Sequence, residues 1–427
     1  MKTVEYKDSE IGRIPADWEV KKFKDVFDFL PTNTYAREFM TEAKDLVHNV
    51  HYGDVLIRYG SVLDFNSTFV PFLNSSCTHY QQKALVHDGD VIIADTAEDE
   101  TAGKAVEILG ANGRLIVSGL HTMLCRPKYA FYPGYLGYFI NGSSYHNQLL
   151  PLLVGTKVSS ISKSAILDTF ILIPPIGQQE QIVKTLSGVD ELLSKLDNAI
   201  EKKQLIKEGL MQELLTGKKR LKGFSGEWAT HNFDYFIERF ATGLNPRSNF
   251  KLNDGGYNYY VTIKDFIDGR LYFDGCDRID DEALKRINER SDLKVGDILF
   301  SSIGRIGDAY VITKKPSNWN INESVFSLRP KKTIIDSQFL YYLIKSREVQ
   351  DKFVENTTGS TLKSVKMGHL KLIECYFPND IKEQKAIAET LKSIDSEIIA
   401  LQSQRDKYLL IKQGMMQELL TGKTRLI

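Results

Sequence analysis

The chain has 427 residues, more than one hydrophobic core accommodates, so two or more domains are expected. Its 55 basic residues are balanced by 55 acidic ones, and the net charge therefore gives no support for nucleic-acid binding. A DNA-binding surface would have to be a local basic stripe.

In chain order, residues 1–175 are predicted to form a mixed α/β domain. A Gly-Asp turn introduces the buried strand Asp90–Ile93, and a helix covers Tyr135–Leu150. Residues 176–220 are predicted to form a long helix. Its best-defined part, Gln178–Thr216, would extend ~58 Å, which is long enough to hold two domains apart.

Residues 221–378 repeat this plan as a second domain. They contain another Gly-Asp turn, a buried strand at Asp297–Phe300 and a helix at Gln338–Val354. Residues 379–427 are predicted to form a second long helix. The predicted order is therefore domain, long helix, domain, long helix.

The two halves are copies of one another. Lys207–Leu221 and Lys412–Leu426 are identical at 12 of 15 positions, at a constant offset of 205 residues. Farther upstream the halves share scattered anchors, among them the Gly-Asp turns, an Arg-Pro-Lys triplet, and Trp18 matching Trp228. The sequence thus predicts a common scaffold whose intervening residues differ.

Both long helices carry apolar residues at alternating spacings of four and three. The two series are Ile182, Leu186, Val189, Leu193, Leu196 and Ile200, and Ile387, Leu391, Ile394, Ile398 and Leu401. This spacing predicts a coiled coil between the two helices, and the alternative is an ordinary amphipathic helix on a globular core. Asp380 and Glu383 fit a capping box, and Gly217 and Gly422 fit helix ends.

Several other classes of protein are not indicated. The four cysteines are far apart and the histidines do not cluster, so neither a disulfide framework nor a zinc site is expected. The longest apolar stretch, Phe170–Ile176, is too short to cross a membrane, and the N-terminus has no apolar signal core. A cytoplasmic location is expected.

The sequence lacks catalytic motifs. Thr101–Lys104 lacks both the leading glycine and the following Ser or Thr of a phosphate-binding loop. Asn245–Ser248 begins like the catalytic tetrapeptide of amino-methyltransferases but lacks the second proline and the aromatic residue. A binding protein is predicted rather than an enzyme.

The pattern resembles the specificity subunits of type I restriction-modification enzymes over essentially the whole chain. The most specific signal is the repeated helix end, GLMQELLTGKKRL and GMMQELLTGKTRL. The helix start Glu383–Ile387, which follows Pro378, also resembles that family, whereas Gln178 replaces the glutamate in the first copy. Thr242–Pro246 is a further similar segment.

This resemblance implies a mixed α+β protein with two target-recognition domains, separated by two long antiparallel coiled-coil helices in a pseudo-twofold arrangement. It implies a non-catalytic, sequence-specific subunit in which each domain reads half of a bipartite target in double-stranded DNA. Two adenine methyltransferase subunits and ATP-dependent restriction subunits would be its partners. S-adenosylmethionine, ATP and Mg would be bound by those partners and not by this chain.

Polar and basic side chains in loops are the candidates for DNA contact, because such groups hydrogen-bond to base edges and phosphates. In the second domain the candidates are Asn245, Arg247, Ser301, Ser302, Arg305, Thr361, Lys363 and Lys366. In the first domain they are Thr156, Lys157, Ser159, Ser160 and Lys163, with Arg58, Tyr59 and Ser61 as weaker candidates. The repeated Gln212–Leu215 segment is predicted to dock partner subunits or to belong to the scaffold.

Two alternatives remain open. The chain could be a stand-alone two-domain DNA-binding regulator, which neighbouring genes for a methyltransferase and a translocase would argue against. It could also be a coiled-coil scaffold that does not bind DNA, and such a scaffold would show no salt-dependent retention on duplex DNA.

Overall fold

The chain divides into two compact units. The computed structural model describes residues 5–74, 77, 84–267, 269–358 and 363–426. The first unit comprises residues 1–197 and 403–427, and the second comprises residues 198–402. Each unit therefore combines a globular domain with the beginning of the long helix that follows it and the end of the other long helix.

The first unit is built from short strands and helices. Its strands are β1 (Tyr6–Ser9), β2 (Gly12–Pro15), β3 (Glu19–Lys22), β4 (Phe27–Leu30), β5 (Met40–Thr41), β6 (Val47–Val50), β7 (Val62–Asp64), β8 (Phe72–Leu73), β9 (Val91–Ala94), β10 (Thr96–Ala97), β11 (Ala105–Leu109), β12 (Leu115–Ser118), β13 (Thr122–Pro127), β14 (Ser159–Ser160) and β15 (Phe170–Ile173). Its helices are α1 (Phe23–Val26), α2 (Tyr52–Ile57), α3 (Tyr135–Ile140), α4 (Ser143–Leu149), α5 (Lys163–Ile166) and the beginning of α6 (Ile176–Leu214).

Two sheets form the body of this unit. Within the described residues, β4, β13, β9, β11 and β7 form one sheet in that order, and β12, β6, β8 and β5 form the other. The predicted strand at Asp90–Ile93 is confirmed as β9, whose four residues are all buried. It begins one residue later than predicted, because the Asp90 carboxylate accepts the amide of His87 and so belongs to the turn.

The second unit repeats this construction. Its strands are β16 (Trp228–Asn232), β17 (Ile237–Thr242), β18 (Asn258–Val261), β19 (Phe266–Ile267), β20 (Arg270–Leu271), β21 (Asp277–Ile279), β22 (Ile298–Ser301), β23 (Ala309–Val311), β24 (Trp319–Ile321), β25 (Val325–Pro330) and β26 (Glu374–Pro378). Its helices are α7 (Phe233–Phe236), α8 (Pro246–Asn249), α9 (Asp281–Ser291), α10 (Ser337–Lys345), α11 (Arg347–Glu355), α12 (Met367–Leu372) and the beginning of α13 (Ile381–Leu419). In the described part of the unit, the sheets run β17-β25-β22-β23 and β21-β18-β24.

Within each half, the Gly-Asp turn contacts the Arg-Pro-Lys triplet of the same half. The Asp90 carboxylate accepts two hydrogen bonds from the Arg126 guanidinium, at 2.8 and 2.7 Å. Asp297 accepts the same pair from Arg329, at 3.0 Å each. The Gly-Asp turn and the Arg-Pro-Lys triplet therefore recur together because each buried carboxylate is held by the arginine of its own half.

The long helices are antiparallel within each unit. In the first unit, Lys412 Nζ lies 2.5 Å from the Asp190 carboxylate. In the second unit, Lys207 Nζ lies 2.6 Å from the Asp395 carboxylate. The same lysine and aspartate of the repeat thus form both ion pairs, each time between the two different helices.

The apolar stripe of these helices serves two purposes. Near the helix starts, Ile182 and Leu186 belong to the core of the first domain. Farther along, Ile200 packs with Ile394 and Ile398 in the second unit, where Leu401 covers them. The prediction of helix-to-helix packing is confirmed, and the alternative of packing on a globular core also holds for the helix starts.

Several local predictions differ from the structure. The helix predicted at Tyr135–Leu150 is broken into α3 and α4, because the Asn141 amide turns inward to hydrogen-bond both the N–H and the C=O of Ala105. The helix predicted at Gln338–Val354 likewise divides into α10 and α11, at Ser346.

The capping box is only half formed. Asp380 accepts the amide of Lys382 at 2.8 Å, as an N-cap does. Glu383 does not return to the cap. Its fully buried carboxylate instead accepts two hydrogen bonds from Arg220. Gly217 and Gly422 follow the helix ends with φ of 72° and 71°, so their predicted role is confirmed.

Candidate nucleic-acid interface

In the second unit, hydrogen bonds gather several strand-end loops into one surface. Gly243 N donates to Asn322 O at 3.1 Å, and Asn322 N donates to Val261 O at 2.9 Å. Ser302 N donates to Ser324 O at 3.2 Å, and Val365 N donates to Ser302 O at 2.8 Å. We call the surface made by residues 243–249, 262–266, 302–308, 322–324 and 363–366 the second loop face.

The first unit joins the corresponding loops in the same way. Asn33 N donates to Ser118 O at 2.9 Å, and Gly119 N donates to Val50 O at 2.8 Å. Asp95 N donates to His121 O at 3.1 Å, and Ile161 N donates to Asp95 O at 2.8 Å. We call the surface made by residues 31–35, 51–57, 95–103, 119–121 and 154–163 the first loop face. Because backbone groups form these bonds, the side chains on each face can differ.

The second loop face brings together most of the candidates of the second domain. Asn245 caps α8 by accepting the amide of Arg247 at 2.9 Å, and it donates to Glu323 at 2.6 Å. Arg305 donates to Ile263 O at 2.8 Å and pairs with Asp308. Asn245 and Arg305 therefore both hold neighbouring loops together as well as lying at the surface.

Three cations of this face are unpaired. Arg247, Lys363 and Lys366 are exposed, and their side chains form no hydrogen bond or ion pair with the residues that the structure describes. They are therefore available to an anionic ligand. The candidate Thr361 lies outside the described residues.

Ser301 and Ser302, both predicted to contact DNA, are buried beneath the second loop face. The Ser301 hydroxyl donates to Ile303 O at 2.9 Å, and the Ser302 hydroxyl donates to Ser324 O at 2.7 Å. Both hydroxyls stabilise the loop from beneath. Close packing also explains Gly243, since a Cβ there would lie 1.6 Å from Ile321 O.

The candidates of the first domain lie on or beside β14. Thr156, Lys157 and Ser160 are exposed, and Ser159 is half-buried. The Ser160 hydroxyl donates to Val154 O at 3.3 Å, and strand β14 pairs with β10. Lys163 is exposed at the start of α5, with Nζ 5.5 Å from the ring centroid of Phe29. These side chains share the first loop face.

Two of the three weaker candidates of the first domain are buried, and the third, Arg58, is exposed. Tyr59 and Ser61 are buried, and Arg58 lies 3.5 Å from the carboxylate of Asp54. They follow a helix and not a strand, because His51 accepts the amide of Gly53 and caps α2.

The sequence analysis did not single out two residues through which loops of the first loop face are joined. Asp95 takes the place of Ser302, and His121 takes that of Ser324, in the equivalent hydrogen bond between loops. Thr96 and Tyr52 adjoin them. The position of Asp95 directly after a buried strand was the available signal, since the second domain's candidates were found in the same way.

The two leucines of the repeated Gln212–Leu215 segment belong to the scaffold. Leu214 and Leu215 are buried in the core of the second unit, and their copies Leu419 and Leu420 are buried in the core of the first. Of the two predicted roles, burial favours the scaffold for these leucines, whereas Gln212 and Glu213 are exposed. The exposed apolar pairs are instead Leu205 and Ile206 on α6, and Leu410 and Ile411 on α13.

A buried glutamine near the start of each long helix hydrogen-bonds that helix to its domain. Gln384 accepts the amide of Asp336 and donates to Ile334 O and Pro378 O, at 2.8 to 2.9 Å. Gln179 accepts the amide of Tyr132 and donates to Pro174 O, at 2.8 Å each. The repeated glutamine of the helix start is therefore structural.

The neighbouring position differs between the copies. In the second unit the Glu383 carboxylate accepts hydrogen bonds from Arg220, whereas the equivalent residue of the first unit, Gln178, carries no charge. The copy of that arginine, Arg425, donates at 2.7 Å to Asp17, which also accepts Gln178 at 2.9 Å. The departure from the family pattern is thus compensated by a carboxylate from another part of the unit.

The first unit also contains an unusual buried carboxylate. Glu107 on β11 accepts the amides of Gly134 and Gly137, at 2.7 and 2.8 Å. Burial raises the pKa of Glu107 to about 7, in spite of these hydrogen bonds. Val311 occupies the corresponding place on β23, so the second unit has no carboxylate at that strand position.

Neither a metal centre nor a membrane segment was found in the described ranges. They contain no group of three or more His, Cys, Asp or Glu side chains that could hold a metal ion. No helix in them is both long and apolar enough to cross a membrane.

The sequence pattern of the type I restriction modification DNA specificity domain matches residues 15–208 and, a second time, residues 222–409. The chain belongs to this family. Its two matches confirm that the internal repeat is a pair of DNA specificity domains.

Relatives of similar length agree. The MjaX and MjaVIII type I restriction enzyme specificity subunits of Methanocaldococcus jannaschii are each 25% identical to the chain, covering 98% and 97% of it and 96% and 94% of their own lengths. The crystal structure of the type I restriction-modification S subunit from M. genitalium has the same fold, with a TM-score of 0.56, 13% identity, and coverage of 98% of this chain and 97% of that one. The chain is a specificity subunit and not a catalytic subunit.

Proposed function

We propose that each specificity domain reads one half of a bipartite duplex-DNA target through its loop face. The observation that carries this proposal is that the two loop faces share one hydrogen-bonded frame and display different side chains. A common frame presents each set of side chains to DNA in the same way, and the different sets recognise different bases.

The unpaired cations support DNA binding at these faces. Arg247, Lys363 and Lys366 on the second face, and Lys157 on the first, are exposed. Cations in loops around a reading surface contact phosphates and fix the register of the protein on the duplex.

The partners in this proposal are adenine methyltransferase subunits and ATP-dependent restriction subunits. The exposed pair Leu205 and Ile206 and its copy, Leu410 and Ile411, are apolar surfaces at repeated positions of the long helices, as two copies of one methyltransferase subunit would require. S-adenosylmethionine, ATP and Mg²⁺ would be bound by those partners.

The test is methylome sequencing of cells that express this chain together with its methyltransferase, compared with cells that express the methyltransferase alone. The expected result is a bipartite motif that appears only when this chain is present. If an active methyltransferase yields no new motif in its company, the proposal is wrong.

A further inference from the structure

His121 occupies a strained backbone position on the first loop face. It lies in the turn between β12 and β13 with φ of 52°, a left-handed conformation that residues other than glycine rarely adopt. The backbone carbonyl of His121 accepts the Asp95 amide, which ties the turn to the end of β9. Such strain is retained where the surrounding structure fixes it, and it is frequent at functional sites.

The imidazole ring is held on one side. Nδ1 lies 3.4 Å from Oδ1 of Asp95, and Thr96 Oγ1 donates to the same Oδ1 at 2.8 Å. The ring of Tyr52 stands at 76° to the imidazole, with centroids 5.3 Å apart. The His121 side chain is nevertheless 48% exposed, so part of the ring remains accessible beside these contacts.

A carboxylate and a hydroxyl both lie beside Nδ1 of His121, since Asp95 Oδ1 and Thr96 Oγ1 are each 3.4 Å from that nitrogen. An aspartate beside Nδ1 favours a proton on that nitrogen, and this leaves Nε2 as a hydrogen-bond acceptor. In the major groove the base groups that donate are the amino groups of adenine N6 and cytosine N4. Ser324, the residue at this place in the second unit, has no equivalent acceptor ring.

We propose that His121 is a specificity-determining residue of the first domain and that its Nε2 accepts a hydrogen bond from the amino group of an adenine or cytosine. The inference rests on the proposed function. The inference adds to the proposed function one residue, one atom and the class of base edge that this atom recognises. Asp95 is the positioning residue that sets the tautomer.

The experiment uses the full chain assembled with its methyltransferase. Methylation rates are measured on duplexes in which each position of both half-sites is changed in turn. The variants are His121→Asn and Asp95→Asn, and the control is His87→Asn. Asparagine tolerates the left-handed backbone at position 121. His87 is exposed in the turn at the opposite end of β9, in the same domain.

At one position of the half-site read by the first domain, we expect His121→Asn to lower discrimination against the wrong base on the order of tenfold. Discrimination in the other half-site, and in the His87→Asn control, should stay unchanged. Asp95→Asn should lower discrimination at the same position although the imidazole is still present, which a merely structural role of His121 would not predict.

Unchanged discrimination in both variants would overturn this inference and leave the proposed function standing. So would a loss of methylation on every duplex by His121→Asn while Asp95→Asn keeps the full discrimination, because His121 would then be needed only for folding. An unmutated complex with no bipartite preference would overturn the proposed function, and this inference with it.

Discussion

The two loop faces have matching backbone frames and different side-chain chemistry. After β9 the first face continues with Asp95 and an exposed acidic run, Glu98–Glu100, whereas after β22 the second continues with Ser302 and Arg305. In both units the amide of the first loop residue donates to the turn that precedes the next long strand of the sheet. Backbone hydrogen bonds do not depend on side-chain identity, so this frame tolerates nearly complete exchange of the residues it displays.

The supports beneath the domains differ in a more limited way. The arginine at the end of each repeat finds a carboxylate in its own unit, but Glu383 is fully buried, whereas the side chain of Asp17 is 44% exposed. The repeated arginine therefore pairs with a carboxylate in two different environments. Its energetic contribution should differ accordingly.

The largest expected effect comes from breaking the buried pair. Arg220→Ala leaves the Glu383 carboxylate buried without its cation, which should destabilise the second unit by roughly 3–5 kcal/mol. Arg425→Ala, the matched variant, removes a partner from a partly exposed carboxylate and should cost the first unit less than about 1 kcal/mol. Urea unfolding with pulse-labelling hydrogen exchange, which follows peptides of each unit separately, measures both. Equal losses in the two variants would refute the comparison.

The stability of the first unit should depend on pH through Glu107, and that of the second unit should not. Its ordinary pKa of 4.5 rises to about 7 in the folded state. The folded first unit therefore binds this proton more tightly than the unfolded chain does. The resulting stabilisation is fully present below about pH 4.5 and is lost as the pH rises through 7, a change of about 3 kcal/mol.

The test of this pH dependence is the same unfolding experiment at several pH values between 4.5 and 8. Glu107→Gln should remove the contribution from the first unit, and the second unit, with Val311 at that place, should not show it in either protein. An identical pH profile for the variant and the unmutated chain would contradict the assignment to Glu107.

Substitution of the buried glutamines Gln179 and Gln384 should destabilise both units by similar amounts, because these residues belong to the shared scaffold. Gln179→Ala and Gln384→Ala each leave a buried proline carbonyl without this donor and a partly buried backbone amide without its acceptor, at a cost of roughly 1–3 kcal/mol. Gln178→Ala is the adjacent control in the first unit and should cost less, since it changes a partly exposed network. A loss confined to one of the two buried-glutamine variants would show that the helix starts are supported differently.

The scaffold was more accessible to sequence analysis than the faces. Repetition exposed the Gly-Asp turns, the Arg-Pro-Lys triplet and the helix ends, because buried contacts such as Asp90 with Arg126 require the same residues in both halves. Repetition could not locate His121, since the face differs between the halves at that point. Nor could it show that Ser301 and Ser302 lie beneath the loop, because burial depends on contacts with Ile303 and Ser324 across the fold.

Helix breaks were also beyond the sequence pattern. Tyr135–Leu150 is apolar enough for a continuous helix, and its division depends on Asn141 binding the backbone of β11. The sequence also did not show how the loss of the glutamate at position 178 is compensated. Gln178 looked like a weakened motif, and only the folded unit brings Asp17 next to Arg425. In each instance the deciding partner is distant in the sequence.

The smallest effects are expected from the unpaired cations, and they concern DNA affinity and not stability. Lys363→Gln on the second face and Lys157→Gln on the first should each weaken binding of all duplexes uniformly and reduce the slope of log K against log salt by about 1. Lys195→Gln is the control, because this lysine pairs with Glu191 on the exposed surface of α6. The slopes are measured by fluorescence anisotropy of the assembled complex between about 50 and 200 mM salt.

If the two variants lower the slope equally, both faces contact phosphate in the same way despite their different chemistry. A lower slope for Lys363→Gln alone would mean that the acidic run of the first face keeps its loop away from the DNA backbone, and a slope unchanged by either variant would remove both lysines from the interface.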